Sequence, residues 1–348
     1  MIFIWCIREK IVSLYVVLKI MKFKCLILFL LFTCVACERY EDCDVELVHD
    51  ESWDVDFTLA SGNCVVYKDT LYVLFGREEG GDAENPSTIF RYAAMSDLEN
   101  FVEEVLPIKP RVNATAIVVG SKLYAGLGFK GRAYGYKALL RDWWEYDFVS
   151  KEWRQLADFL ADDVVAPIVW EDGGYIYLAL GFAENFKKNV YRYDVSNDKW
   201  ELVDSLSGLF VRAEVVGAKV NDCIYFGSGC GIEMRNDWWR YDWKEKELLE
   251  CAKLPFKGRI FASSVAIDDF IYVLGGRYFG GSETREHFYE TIIVYDTRND
   301  EWLTLGRMEK AVENMIAFEY EGDLYWGLGQ SQDGLFVEKI YRREVNEK

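Results

Sequence analysis

The stretch that decides the fold runs Phe270-Ile271-Tyr272-Val273-Leu274-Gly275-Gly276, followed by Ile293-Val294-Tyr295-Asp296 and then by Trp302. Its kernel is an aliphatic residue, a tyrosine, three residues and a glycine. That kernel recurs six times at intervals of about fifty residues: Leu71-Tyr72 to Gly76, Leu123-Tyr124 to Gly128, Ile176-Tyr177 to Gly181, Ile224-Tyr225 to Gly229, Ile271-Tyr272 to Gly276 and Leu324-Tyr325 to Gly329. One offset held through six copies is an internal repeat, and a period of about 40 to 50 residues belongs to an array of equal units.

Downstream of the kernel comes an apolar residue, any residue and Tyr-Asp, well formed at Tyr146-Asp147, Tyr193-Asp194, Tyr241-Asp242 and Tyr295-Asp296. A tryptophan follows in three units, Trp153, Trp200 and Trp302, where the fourth well-formed unit has Leu248. In the fifth unit four short strand patterns can be named: 260–267 innermost, then 270–274, 291–295 and 302–305, with Asp268-Asp269 and Arg298-Asn299-Asp300 as turn formers between them. Four such strands per repeat describe a propeller blade.

Gly275-Gly276, Tyr295 and Trp302 make this unit resemble the Kelch repeat, a Gly-Gly pair with a spaced tyrosine and a spaced tryptophan. The resemblance covers roughly residues 53–348 and implies an all-β, six-bladed Kelch-type β-propeller with four antiparallel strands per blade. It implies no single activity, because Kelch propellers host unrelated functions. The last unit ends at Lys348 with no room for a fourth strand of its own, while Ser52-Trp53-Asp54-Val55-Asp56-Phe57 has the pattern of an orphan fourth strand. The expected closure is therefore an N-terminal strand on the last blade, which leaves no edge for stray pairing; residues 45–48 are the alternative closing strand.

A chain of 348 residues that is 51% hydrophobic and 16% aromatic can bury one large all-β core. Its net charge of -18 works against binding to nucleic acid or to an anionic bilayer surface and keeps a secreted protein soluble. The start of the chain concerns address. Residues 1–20 read as an expected upstream start extension, and Met21-Lys22-Phe23-Lys24 with the short apolar run after it as an expected signal peptide. Cys34-Val35-Ala36-Cys37 resembles a bacterial lipobox, with cysteine where leucine is usual, so Cys37 is the expected lipidation site and 38–51 a tether. Ordinary signal cleavage is the alternative. The expected location is the bacterial outer membrane. If Cys37 is acylated, Cys43, Cys64, Cys223, Cys230 and Cys251 remain, an odd number, so at least one is free or intermolecular.

Chemistry in a propeller comes from its loops. The connections after Gly76, Gly128 and Gly276 are long and polar, and supply Arg132, Tyr134, Tyr136, Tyr278 and Arg285 as candidate ligand-binding residues. Arg111, Arg212 and Arg259 each lie 13 residues before the kernel tyrosine of their own blade. Two readings stand: an electropositive pocket that grips a carboxylate or phosphate, or a tie from each blade to a neighbouring blade's acid. Glu214 and Glu313 are pocket acids in the first reading and partners of the arginines in the second. One member of each pair Trp143-Trp144 and Trp238-Trp239 must pack between blades, because adjacent strand residues face opposite sides.

The chain has only His49 and His287, and His49 precedes the first blade, so the two-histidine copper site of the oxidase that shares the Kelch repeat is not expected; the same scarcity, with no G-x-S-x-G, argues against a Ser-His-Asp hydrolase. No cofactor and no metal is expected. The chain also resembles, in blade number and closure, the six-bladed Kelch proteins that interconvert sialic acid anomers. That resemblance implies Arg235 as the holder of a sugar carboxylate and Glu233 as an acid or base. The preferred expectation is a non-catalytic propeller that binds a glycan, an acidic sugar or a protein at the envelope as a monomer, with the mutarotase as the alternative.

Overall fold

The computed structural model describes residues 45–131, 139–160, 165–181, 188–209, 212–279 and 286–345. A strand β1 (Glu51–Asp54) opens the body. Blade one is β2 (Ala60–Tyr67), β3 (Thr70–Arg77), β4 (Ile89–Ala94) and β5 (Val102–Val105). Blade two is β6 (Thr115–Val119), β7 (Lys122–Gly126), β8 (Trp143–Asp147) and β9 (Glu152–Gln155); blade three is β10 (Ile168–Asp172), β11 (Tyr175–Ala179), β12 (Asn189–Asp194) and β13 (Lys199–Ser205). Blade four is β14 (Val216–Val220), β15 (Cys223–Gly227), β16 (Trp238–Asp242) and β17 (Glu247–Cys251). In blade five, β18 (Ser263–Ile267) and β19 (Phe270–Leu274) are followed by a ribbon of β20 (Arg277–Tyr278) and β21 (His287–Phe288), then by β22 (Thr291–Asp296) and β23 (Glu301–Arg307). Another ribbon, β24 (Val312–Glu313) with β27 (Gln330–Ser331), brackets β25 (Ile316–Tyr320) and β26 (Asp323–Gly327) of blade six, and β28 (Lys339–Arg343) is its third strand. Every sheet is antiparallel, with its strands in sequence order except in blade six, and no helix occurs among the described residues.

The strand that completes blade six is β1, which pairs with β28 in the register Ser52↔Tyr341 and Trp53↔Ile340. The expected closure holds, and its alternative has another place. Val48 N donates to Arg307 O (2.9 Å) and Arg307 N to Glu46 O (2.8 Å), so residues 46–48 lie along the outer strand of blade five. Val48 is buried in the contact between blades five and six, so the body begins before Ser52.

Six apolar clusters, one at each blade-to-blade contact, hold the ring. Phe90 and Leu74 of blade one meet Leu123 and Tyr146 of blade two, and the sixth cluster joins Ile316, Tyr325 and Ile340 to Leu71 and Val73 of blade one. The repeat aromatics supply much of this burial. Tyr146 and Trp153, Tyr193 and Trp200, and Tyr295 and Trp302 pack at 5.0, 4.9 and 5.0 Å between centroids, tilted by 41°, 45° and 45°. In blade six Trp53 stacks on Tyr325 at 6.1 Å from the opposite end of the chain.

The turn between third and fourth strands adds a polar latch. Asp198 Oδ1 accepts from the Tyr193 hydroxyl (2.7 Å) and from Ala157 N of the preceding blade (2.8 Å), while Trp200 Nε1 donates to Ala157 O (3.2 Å). Asp300 repeats this with Tyr295 (2.7 Å) and Ala252 N (2.7 Å), and Trp302 Nε1 donates to Ala252 O (2.8 Å). A buried hydroxyl next to a carboxylate resists ionisation, and burial with the aspartate bond pushes both tyrosines far above their ordinary range. Cys64, Cys223, Cys230 and Cys251 carry free thiols; burial pushes Cys64 up to about 12, as suits a small core residue.

Candidate functional site

Where each second strand ends, the chain makes two successive left-handed residues, as at Phe75-Gly76 (φ 63° and 81°), Leu127-Gly128 (58° and 76°) and Ser228-Gly229 (58° and 81°). A side chain in that region costs roughly 1–2 kcal/mol, which the first position tolerates. The second must be glycine, because a Cβ at Gly276 would stand 2.6 Å from Ile260 O. The turn folds the chain back over the start of its own blade: Ala60↔Arg77, Val112↔Phe129, Ala213↔Cys230, Ile260↔Arg277 and Glu313↔Gln330 are bridged.

One residue further along, at 11 before each kernel tyrosine, stand Ser61, Asn113, Ala166, Glu214, Phe261 and Asn314, all left-handed with φ of 57°, 49°, 47°, 56°, 56° and 57°. Their backbones are tied around the axis. Asn314 N donates to Phe261 O (2.8 Å), Ser61 N to Asn314 O (3.1 Å), Asn113 N to Ser61 O (3.3 Å) and Ala166 N to Asn113 O (3.2 Å). With Asn63 and Ser263 from the innermost strands, these residues line a polar cavity of about 200 Å³ on the axis. A second cavity of about 260 Å³ shares Ser61, Asn113, Phe261 and Asn314 and adds Arg77, Arg277, Glu313, Asp82 and Phe129. Since Arg77 and Arg277 follow the kernel glycines and Asp82 lies in the long loop after β3, this second cavity is the mouth and the first is its floor.

Charge is distributed unevenly between the two. At the mouth, Arg77 Nη2 donates to Gln330 Oε1 (2.5 Å), and among the described residues Arg77 pairs with no carboxylate. Burial pulls the Arg77 pKa down, only partly offset by Glu313 and Asp82, so this guanidinium is short of compensating charge. Arg277 Nε lies 3.0 Å from Glu313 Oε2, out of line for a hydrogen bond, and Nη1 donates to Glu286 Oε1 (3.3 Å). Burial raises the Glu313 carboxyl despite the nearby Arg277 and Arg77. On the floor, Glu214 Oε1 accepts from Asn113 Nδ2 (3.1 Å). Burial first, and the charge of Glu313 second, push Glu214 up to about 8, so at neutral pH it is a carboxylic acid able to donate. Asn63 donates through Nδ2 to Ala114 O (3.2 Å) and keeps a buried Oδ1 that no protein group bonds.

Of the residues singled out in the sequence, Glu214 is in the cavity and the three arginines are not. Arg111 and Arg259 are 0% exposed and Arg212 1%, so the expected electropositive pocket is not built from them. Arg111 holds Asp142 through two bonds (2.9 and 2.5 Å) and Leu127 O through a third (3.0 Å), while Trp144 Nε1 donates to the same carboxylate (2.6 Å). Blade four repeats the set with Arg212, Asp237, Ser228 O and Trp239. Burial alone would raise the two aspartates, but the arginine bonds and charge outweigh it and hold both below the carboxylate range. Arg259 donates to Gly275 O (3.1 Å) and lies 3.9 Å over the Tyr289 ring. These arginines therefore tie each innermost strand to the second and third strands of the same blade, and the acids that Arg111 and Arg212 hold belong to their own blades, not to a neighbouring blade as expected.

Arg235 Nη2 and Glu233 Oε1 form a 2.7 Å pair in the loop after β15, and neither lines the two axial cavities. Tyr278 sits in the β20 ribbon under Lys257 Nζ, 5.0 Å from its ring. Arg132, Tyr134, Tyr136, Arg285 and Cys37 lie outside the described residues. Trp143 and Trp238 are fully buried between blades, and their neighbours Trp144 and Trp239 bind aspartates. The reading in sequence missed Arg77, Arg277, Asn63, Asn113 and Asn314 as members of one site. Part of the signal was there: Asn113 and Asn314 stand 11 before their kernel tyrosines, and Arg77 and Arg277 directly follow their kernel glycines.

A family model described as the Kelch motif matches residues 258–309. Human Kelch-like protein 25 is 25% identical over 61% of this chain and 36% of its own length. N-acetylneuraminate epimerase of Vibrio cholerae is 34% identical over 97 residues, 26% of this chain and 23% of that protein. The chain thus spans little more than a third of the length of the first of these relatives. The solved structure of YjhT superposes with a TM-score of 0.72 over 85% of this chain and 97% of that one, at 15% identity, a likeness of fold. Six closed blades, the repeated kernel and these matches together make the chain a six-bladed Kelch-repeat propeller.

Proposed function

We propose that this propeller binds a small anionic, hydroxylated ligand, an acidic carbohydrate, in its axial cavity without making or breaking a bond. The observation that carries the reading is Arg77, a half-buried guanidinium at the cavity mouth with Gln330 as its hydrogen-bond acceptor and no carboxylate paired to it among the described residues. In a chain of net charge -18 such a cation favours an anion brought from outside, held by charge-assisted hydrogen bonds with Arg277 beside it. Titration calorimetry of the mature chain with N-acetylneuraminate, glucuronate and neutral glucose tests this. Binding of the acids above glucose supports the reading, and equal or absent binding of all three removes it in favour of a protein ligand.

A second reading, a cofactor-independent mutarotase acting on sialic acid or a related acidic sugar, is favoured by the 34% identity to the Vibrio cholerae epimerase. In it Arg235 holds the sugar carboxylate and Glu233 moves the proton. Proton NMR of N-acetylneuraminate anomers separates the two: unaccelerated exchange retains the binding role, and accelerated exchange assigns the isomerase. We further propose that the chain is a monomer tethered to the bacterial outer membrane through a lipid on Cys37. Metabolic labelling with a fatty acid that is lost in Cys37→Ser tests the tether.

A further inference from the structure

The floor of the axial cavity differs in kind from its mouth. Among the described residues that line the two spaces, the charged side chains at the mouth are Arg77, Arg277, Glu313 and Asp82, whereas Glu214 is the one ionisable side chain on a floor of amides, hydroxyls, short side chains, Phe261 and Met315. Glu214 reaches this place because its residue is left-handed (φ 56°), the conformation shared by all six blades, which turns the side chain off the strand and toward the axis. Asn113 spans Ala166 of the blade between them to hold Glu214 Oε1, and the small Ala166 leaves room for that contact. Asn63, on the innermost strand of blade one and lining the same cavity, is anchored by its own Nδ2 and has an unused oxygen. A donor and an acceptor, each fixed by a second bond and neither charged, suit a hydroxyl group, which needs one of each.

We infer that the floor is a hydroxyl-recognising subsite in which Glu214 donates and Asn63 accepts, so that the ligand enters with its anionic end outward at Arg77 and Arg277 and a hydroxylated end inward. The inference rests on the axial-cavity reading and adds the orientation and the selecting residues. The groups that bear on Glu214 explain why it serves as a donor. Burial and the negative Glu313 disfavour its charge, Asn113 offsets them only in part, and Arg77 and Arg277 line the mouth rather than the floor. An ionised Glu214 would lose its proton and repel an acidic ligand, so affinity falls as pH rises past about 8, by up to about tenfold per unit.

The test is calorimetry of the mature chain with N-acetylneuraminate and with its methyl ester from pH 6 to pH 10, on the wild type and on Glu214→Gln, which keeps a donor in the same shape. The wild type is expected to weaken above about pH 8, the variant to bind with a flat profile, and the ester to bind less tightly than the acid at every pH. A flat wild-type profile, or a fall that persists in Glu214→Gln, overturns the inference while leaving the cavity reading intact. Failure of every acidic sugar to bind overturns both. A carbon-detected NMR titration of the Glu214 carboxyl in the unliganded wild type needs neither ligand nor variant, and a midpoint in the ordinary range for glutamate also overturns it.

Discussion

At the rim of this propeller, Tyr193 and Trp200 pack 4.9 Å apart in blade three, and Tyr295 and Trp302 pack 5.0 Å apart in blade five, at one tilt and with one aspartate latch each. At the axis, residues 61, 113, 166, 214, 261 and 314 share one backbone conformation but carry five kinds of side chain. The rim repeats residue and geometry together; the axis repeats geometry and varies the residue. The difference teaches where to look for each property. Contacts repeated from blade to blade hold the ring, and a side chain that departs from the repeat in one or two blades makes a ligand site.

The sharpest way to break that division is at the rim. Trp200→Ala removes an indole that meets Tyr193, Phe159 and Trp143 and donates to Ala157, and is expected to cost about 3–5 kcal/mol in urea unfolding. A loss below about 1 kcal/mol would mean that the repeated contact is not what holds neighbouring blades. Next comes Asp237→Asn, which leaves the enclosed Arg212 without its counter-charge and is expected to cost about 3 kcal/mol at pH 7. Because the Asp237 carboxyl is held below its ordinary value, its contribution is present above the unfolded pKa and is lost as pH falls through the lower folded one. The gap between variant and wild type should therefore close in acid.

At the axis the sign reverses. Glu214→Gln is expected to stabilise the fold at pH 9 and to change it little at pH 5. Between the unfolded value near 4.5 and the folded value of about 8, only the folded state holds the proton, so rising pH destabilises the wild type alone. Thermal melts of the two proteins across that window measure the effect. Destabilisation by Glu214→Gln at pH 9 would place Glu214 among the residues that build the ring. The smallest expected change in stability is at Arg77→Gln, within about 1 kcal/mol, since it gives up one hydrogen bond to Gln330 at the mouth.

The rim was legible in the sequence because its residues obey the period. Tyr193, Trp200, Tyr295 and Trp302, the order of the four blade-five strands and the borrowed β1 all follow from the repeat, although the innermost strand begins at Ser263 rather than at 260 and the outermost runs Glu301–Arg307 rather than 302–305. The arginines at 13 before the tyrosine were visible for the same reason, and that regularity is what assigns them to structure: Arg111 and Arg212 pair with Asp142 and Asp237 inside their own blades. The axial set was harder to read because its members share a position and not a chemistry. Arg77 and Arg277 each follow a kernel glycine, but so do Phe129, Cys230 and Gln330, and only the left-handed turn shows that this position faces the mouth. Glu214 stood out as an acid near the channel, whereas its protonation depends on a desolvated floor that spacing alone does not reveal.

Calorimetric titration of N-acetylneuraminate into the wild type, Arg77→Gln and Trp200→Phe at pH 7, with melting temperatures taken on the same samples, tests the division most directly. Affinity is expected to weaken at least about tenfold in Arg77→Gln with a melt close to that of the wild type, and to stay unchanged in Trp200→Phe with a lowered melt. Unaltered affinity in Arg77→Gln, or an equal loss of affinity in the rim variant, would contradict it.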